Sequence, residues 1–246
     1  MDTTNLKTRM NTKVQALSER EPGTSQYLAL TSNALELIQE NLKHQPLSFQ
    51  LFDMVKSPSG GSTVFSVPGL SGEEAEKELT GIILDYTTPR AYWATSDPVE
   101  GMPPTCLSKD SLISEDGKAC AHCPFNDFGS KDGDSPAKAC KESVLLFLLR
   151  PGSVFPLLVR VPVTSKKIFL KYTTRLVSRL TPLSSVVTKI TLEKATSREG
   201  KPYALFHFDA VQILDQETAA KAREFGKQFM EFVNAADVEP VFTQAS

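Results

Sequence analysis

The sequence predicts a mainly β fold with helices, and three observations carry that expectation. From Leu79 onward, apolar runs rich in Val, Ile, Leu, Tyr and Phe come in pairs separated by short turn-forming stretches, the pattern of antiparallel hairpins. Between two of these pairs lies one stretch with helical rather than alternating apolar spacing. The 246-residue chain is 40% hydrophobic, enough for a substantial core, yet its longest apolar run, "VLLFLLR" at 144–150, has the length of a strand and not of a membrane span.

Taken in order, residues 1–24 read as a frayed polar arm punctuated by Pro22 and Gly23. A helix is expected in "TSQYLALTSNALELIQENLKH", where Leu30, Ala34, Leu37 and Ile38 recur at helical spacing, Thr24 or Ser25 can cap the start and Pro46 ends it. After it come a turn at 57–61, a short strand around 63–67, a second turn and a single helical turn at 73–77. "LTGIILDYTTPRAYWA" gives two strands interrupted at Thr88 and Pro89, the second carrying Tyr92 and the sole tryptophan, Trp93. Residues 97–141 are poor in apolar residues and hold all four cysteines; a long irregular stretch inside a compact domain is functional, metal-stapled or disordered. A hairpin turning at 151–153 follows, then a basic helix over 164–180 stopped by Pro182, a second hairpin turning at 197–200, and a final helix over 216–234 leading into "AADVEPVFTQAS". Four or five main strands with a helix after the third fit a small Greek-key barrel of the OB type, and an antiparallel α+β sheet fits the same order. The expected organisation is an N-terminal arm and helix over 1–48, the OB-like domain over 49–215 with its insertion at 97–141, and a C-terminal helix and tail over 216–246.

The cysteines are Cys106, Cys120, Cys123 and Cys140, and Cys120-x-x-Cys123 is followed by Pro124. A C-x2-C pair on a tight turn directs two sulfurs at one tetrahedral ion, and the other two cysteines stand at the borders of the insertion. Structural zinc is therefore the expected cofactor, closing the loop at its base and ordering a segment that burial alone cannot order. Free thiols, an iron–sulfur cluster and a redox pair are the competing readings. The start "MDTTNLKTRMNTKV" is polar throughout, so the chain reads as a cytoplasmic protein, where cysteines serve metal or redox chemistry sooner than disulfides. His122 could stand in for one cysteine as ligand, but four thiolates already complete the tetrahedron, so it reads as a solvent-facing residue or one that supports the ligands from outside. Asp127, Asp132 and Asp134 read as solvated loop acids with no compact motif for catalytic magnesium, and no enzyme is expected.

Charge is uneven: residues 156–201 hold ten Lys/Arg against two Asp/Glu, and residues 202–246 hold three against seven. On the basic helix, Lys167, Lys171, Arg175 and Arg179 are spaced by four and form one stripe, with Ile168, Tyr172 and Leu176 on the adjoining one and Phe169 and Leu180 on the same apolar side. Such a stripe is often only a solvated face. Lys166, Arg160, Lys189 and Lys194 add cations nearby with few acids, which suits a phosphate backbone. Tyr86, Tyr92 and Trp93 on the first hairpin and Tyr203 on the last strand are candidate base-stacking platforms. Trp93 reads equally as core, and of the last strand's two faces, the one with Phe206 and Phe208 is expected to be buried.

Taken together, "GIILDYTTPRAYW", "PPTC", "CAHCPFNDFGS", "KACK", "LLFLLRPGSVFPLLVRVPVTSKK" and "SSVVTKITLEK" resemble a family of tailed phages, prophages and mobile elements: OB-fold single-stranded DNA-binding proteins with a cysteine insertion. The resemblance spans roughly residues 50–215. It implies a non-catalytic, non-sequence-specific binder of single-stranded DNA in replication or recombination, with the strand in a groove between the first hairpin and the basic helix. Lys166, Lys167, Lys171 and Arg175 would meet phosphates, Arg179 and Lys189 would extend the field, and replication or recombination proteins would be partners. The chain departs from the pattern at "SPAKAC", which lacks the usual glycine, and in its tail, where Asp237, Glu239 and Phe242 only faintly match the acidic ends of phage single-strand binders. The rival functions are a zinc-stapled interaction or host-modulating module, and a metal-dependent nuclease or iron–sulfur repair protein.

Overall fold

The computed structural model describes residues 26–31, 34–43, 51–95, 102–131, 136–197 and 200–235. The polar arm, the caps proposed at Thr24 and Ser25, the stop at Pro46, Asp132, Asp134 and the tail lie outside the described residues. Within them the protein is mainly β, with a curled, half-barrel sheet and three α-helices.

The strands are β1 (Met54–Val55), β2 (Phe65–Gly69), β3 (Gly72–Glu76), β4 (Glu78–Thr87), β5 (Arg90–Tyr92), β6 (Cys106–Ser108), β7 (Lys141–Leu149), β8 (Leu157–Pro162), β9 (Val186–Thr196) and β10 (Pro202–Ile213). The helices are α1 (Ala34–Asn41), α2 (Val163–Val177) and α3 (Gln216–Ala235). The main sheet runs β1-β8-β7-β4-β9-β10, with β5 joined to β7 and β6 to β5, and β2 and β3 form a separate hairpin. All pairs in the main sheet are antiparallel except β1 with β8.

Strand β7 explains the layering. "SVLLFLL" is apolar at successive positions, so both of its faces must be covered, and from Val144 to Leu149 every side chain is buried. On one face, Val144, Leu146 and Leu148 join Leu79, Ile83, Val159, Ile190, Phe206 and Phe208 under α2 and the β2–β3 hairpin. On the other, Leu145, Phe147 and Leu149 join Ile82, Leu158 and the Phe225, Phe229 and Val233 side of α3, with Tyr27 and Ile38 completing the layer. Phe229 meets Phe52 and Phe147 edge-on at 5.6 and 6.3 Å. Gly81 lets β4 approach β7, because a β-carbon there would collide with the Leu149 carbonyl oxygen.

Several local expectations change. The first helix is interrupted: Leu28–Leu30 form a 3-10 turn, Thr31 is extended, and its hydroxyl donates to the Leu28 carbonyl at 2.6 Å, competing with a continuous helical ladder. The helical turn expected at 73–77 is strand β3. Its glutamates favour helix, but they gain more specific partners in a hairpin. Glu76 receives both guanidinium nitrogens of Arg150 at 2.7 and 2.8 Å, Glu73 accepts from the Ser66 hydroxyl at 2.6 Å, and Gly72 supplies the positive φ of the turn. The β7–β8 and β9–β10 hairpins, α2 and α3 fall where the sequence puts them, although α2 starts one residue earlier and ends at Val177. The first expected hairpin does not form, because β4 pairs with β7 and β9 while β5 pairs with β7 and β6. Leu180, expected on the apolar side, is instead 93% exposed, in a turn beyond the helix end where its φ is 54°.

Candidate functional site

The cysteine segment is held by backbone polarity more than by apolar burial. Among the described residues its own apolar cluster is Ala91, Trp93 and Leu107. Asp110 accepts from the N–H groups of Leu112 and Ile113 and from the Ser108 hydroxyl, which holds its carboxyl below the usual carboxylate range. Cys120 N–H donates to Leu112 O, Cys140 N–H to Phe125 O, and the Asn126 amide to Cys120 O, at 2.8 to 2.9 Å. Cys120–His122 and Pro124–Asn126 each form a 3-10 turn, the second opened by Pro124. These ties bring β5, β6, both 3-10 turns and the start of β7 around one point.

That point is a small cavity of about 20 Å³, lined by Cys106, Cys120, Cys123 and Cys140 together with Arg90 and Tyr92. It has room for one water-sized body. All four thiols are free. Burial, reinforced by the neighbouring thiols and opposed by the Arg90 cation, pushes Cys140 up to about 11, and burial also raises Cys106. Among the described residues no set of three or more His, Cys, Asp or Glu side chains is arranged to hold a metal ion, so the backbone gathers the thiols without drawing their sulfurs onto one centre. Four thiols are the donor set that a soft tetrahedral ion takes. His122 is exposed and does not line the cavity.

Arg90 links this module to the sheet. Only 9% exposed, it donates to the Asn126 side chain and, at 2.9 Å, to Glu142, which also receives the Lys166 ammonium. Its Nε–H is buried and has no partner among the described residues. Lys166, expected to meet a phosphate, is thus tied to Glu142 at the start of α2.

The remaining stripe is arranged as its spacing predicts. Ser165, Phe169, Tyr172 and Leu176 face the sheet, and Lys167, Lys171 and Arg175 form an exposed outer ridge extended by Arg179. None of these four cations has an ion-pair partner among the described residues. Ser165 also turns its hydroxyl inward to accept from Phe206 N–H at 3.0 Å, fixing the helix against β10.

The aromatic candidates do not meet in one groove. Tyr86 is half-buried, edge-on to Phe169 with ring centroids 4.9 Å apart. Tyr92 stacks on Phe125 at 3.9 Å beside the cysteine cavity. Trp93 is packed at 8% exposure, its indole N–H donating to Met102 O at 2.9 Å, so it is a core side chain rather than an open platform. Phe206 and Phe208 are buried as expected, which turns Tyr203 to the sheet face opposite α2. Lys189 lies on that same opposite face, 3.8 Å from Glu78. Sequence reasoning passed over Phe128, which is 82% exposed with the Lys138 ammonium 4.6 Å from its ring centre. Its signal was an aromatic in a loop too polar to bury it.

Compared with models of protein families, with curated proteins and with solved structures, the chain matches none. Among the described residues no helix is long and apolar enough to cross a membrane.

Proposed function

We propose that this chain is a non-catalytic single-stranded DNA-binding protein of a phage or mobile element, acting in replication or recombination in the cytoplasm of a host cell. The observation that carries the reading is the α2 ridge, where Lys167, Lys171, Arg175 and Arg179 stand exposed and without anionic partners among the described residues. Exposed cations spaced along one line attract a phosphate backbone and release its counterions. Phe128 with Lys138 adds an aromatic face able to stack on a base. A chain of contacts from Lys138 through Asn126, Arg90 and Glu142 to Lys166 joins that loop to the start of α2.

The OB-like barrel is supported by connectivity. The five long strands lie in the order β8-β7-β4-β9-β10, with α2 following the third in sequence. In such folds oligonucleotides bind on the second and third strands and on the loop between the first and second. Here the cysteine segment occupies that loop, whereas one face of β7 and β8 is covered by α3 and the other by α2 and its core. The path we propose therefore runs over the loop and the α2 ridge, with zinc in the four-cysteine cavity stiffening the loop.

The test is anisotropy of a labelled oligothymidine against a duplex of equal length at two salt concentrations. Tighter binding to the single strand is expected, with log affinity falling against log salt at a slope of roughly −3 for four phosphate contacts. Absence of salt-sensitive binding at low ionic strength would sink the reading. A second reading, an interaction module for an acidic protein, is favoured by Val163, Leu170 and Val177, which are 58%, 38% and 60% exposed on the same helix. Gel filtration with and without oligonucleotide separates the two.

A further inference from the structure

Two independent features converge on Arg90. It lines the cavity shared by the four cysteines, and its Nε–H is a buried donor with no acceptor among the described residues. Buried N–H groups are almost always paired, so an orphan donor on a residue that lines the four-cysteine cavity points to an acceptor held in that cavity. Glu142 and Asn126 engage the two terminal nitrogens of the guanidinium, which fixes its plane and leaves Nε as the free edge.

We propose that Arg90 is the hydrogen-bond donor and counter-cation of a four-thiolate metal centre formed by Cys106, Cys120, Cys123 and Cys140. The inference rests on the reading of the cavity as a metal site. Four thiols that bind a divalent ion release four protons and leave a doubly negative centre. Such a centre is costly in a nearly enclosed pocket unless a cation and N–H donors offset it. Arg90 supplies one charge and one N–H to a sulfur, and Glu142 and Asn126 hold it in place.

The full chain, reduced and stripped of metal, is titrated with Co²⁺. The wild type should take up one equivalent with the visible and sulfur-to-cobalt charge-transfer bands of a tetrahedral four-thiolate site. R90Q should bind with the same stoichiometry but with affinity reduced roughly 10- to 100-fold, the range for losing an outer partner of a metal ligand. Its charge-transfer band should move to lower energy, because a thiolate without its N–H donor gives up an electron more easily. R90K should recover part of the affinity but not the band position, and it decides the matter alone if R90Q does not fold. Wild-type affinity and an unshifted band in R90K overturn the role of Arg90 while leaving the metal site standing. No thiolate band in the wild type overturns the metal reading, and the inference with it.

Discussion

A β-carbon on Gly81 would collide with the carbonyl oxygen of Leu149 and press on the Leu148 side chain, in the most buried part of the sheet. Gly81→Ala should therefore cost about 3 kcal/mol, seen as a lower urea midpoint with an unchanged slope. Tyr27 gives a pH signature. Burial pushes its phenol from 10 up to about 12, so the unfolded chain ionises first as pH rises. Stability contributed by the neutral phenol is complete below pH 10 and is lost as pH climbs to about 12. Tyr27→Phe should flatten alkaline unfolding in that window, as followed by circular dichroism; an unaltered profile would assign the loss to other groups. Residue identity was legible where chemistry is local: the four cysteines and the α2 cations were named from spacing alone. Trp93 and Lys166 were not placed, because burial of the one and the Glu142 tie of the other depend on partners distant in sequence.

Among the elements, the start of β7 is where the cysteine segment, β5 and α2 are joined. Glu142 accepts from both Arg90 and Lys166 while only 15% exposed. Glu142→Ala leaves two cations facing each other with little solvent, and should destabilise the protein by about 3 kcal/mol. Chemical denaturation measures this, and a change under about 1 kcal/mol would mean that water replaces the carboxylate without loss. The hairpins β7–β8 and β9–β10 and the helices α2 and α3 were legible because apolar period, turn residues and prolines all agreed. β3 was not, since "GEEAEKEL" has helical composition and becomes a strand only through β2, Ser66 and Arg150. Nor did the sequence reveal that α3 covers the sheet, because amphipathic spacing gives a helix its buried face but not the surface that receives it.

For the whole molecule, the proposed binding surface and the fold are separable. Lys171 and Arg175 lie on the exposed side of α2, away from the Phe169, Tyr172 and Leu176 seam. Lys171→Glu with Arg175→Glu should leave the thermal midpoint nearly unchanged while weakening oligothymidine binding at low salt and reducing the salt slope by roughly 1.4. If the double variant bound like the wild type, the ridge would not be the nucleic-acid surface. Sheet order was the least legible property: strand propensities fix which segments are extended, but the neighbours of β4, one from each hairpin, are chosen by packing.

The path between β1 and β10 has a mechanical consequence. Val55 pairs with β8 at one edge of the sheet, and Gly61 already sits against Pro202 and Lys194 at the other. Six residue steps reach at most about 22 Å, close to the roughly 24 Å between the outer strands of six laid flat. The short strap therefore favours the curled sheet, since flattening would draw it to nearly full extension. A sheet held curled offers poorer templates for a neighbour's strand, so cutting or lengthening this strap should promote edge-to-edge aggregation before it lowers the stability of the core.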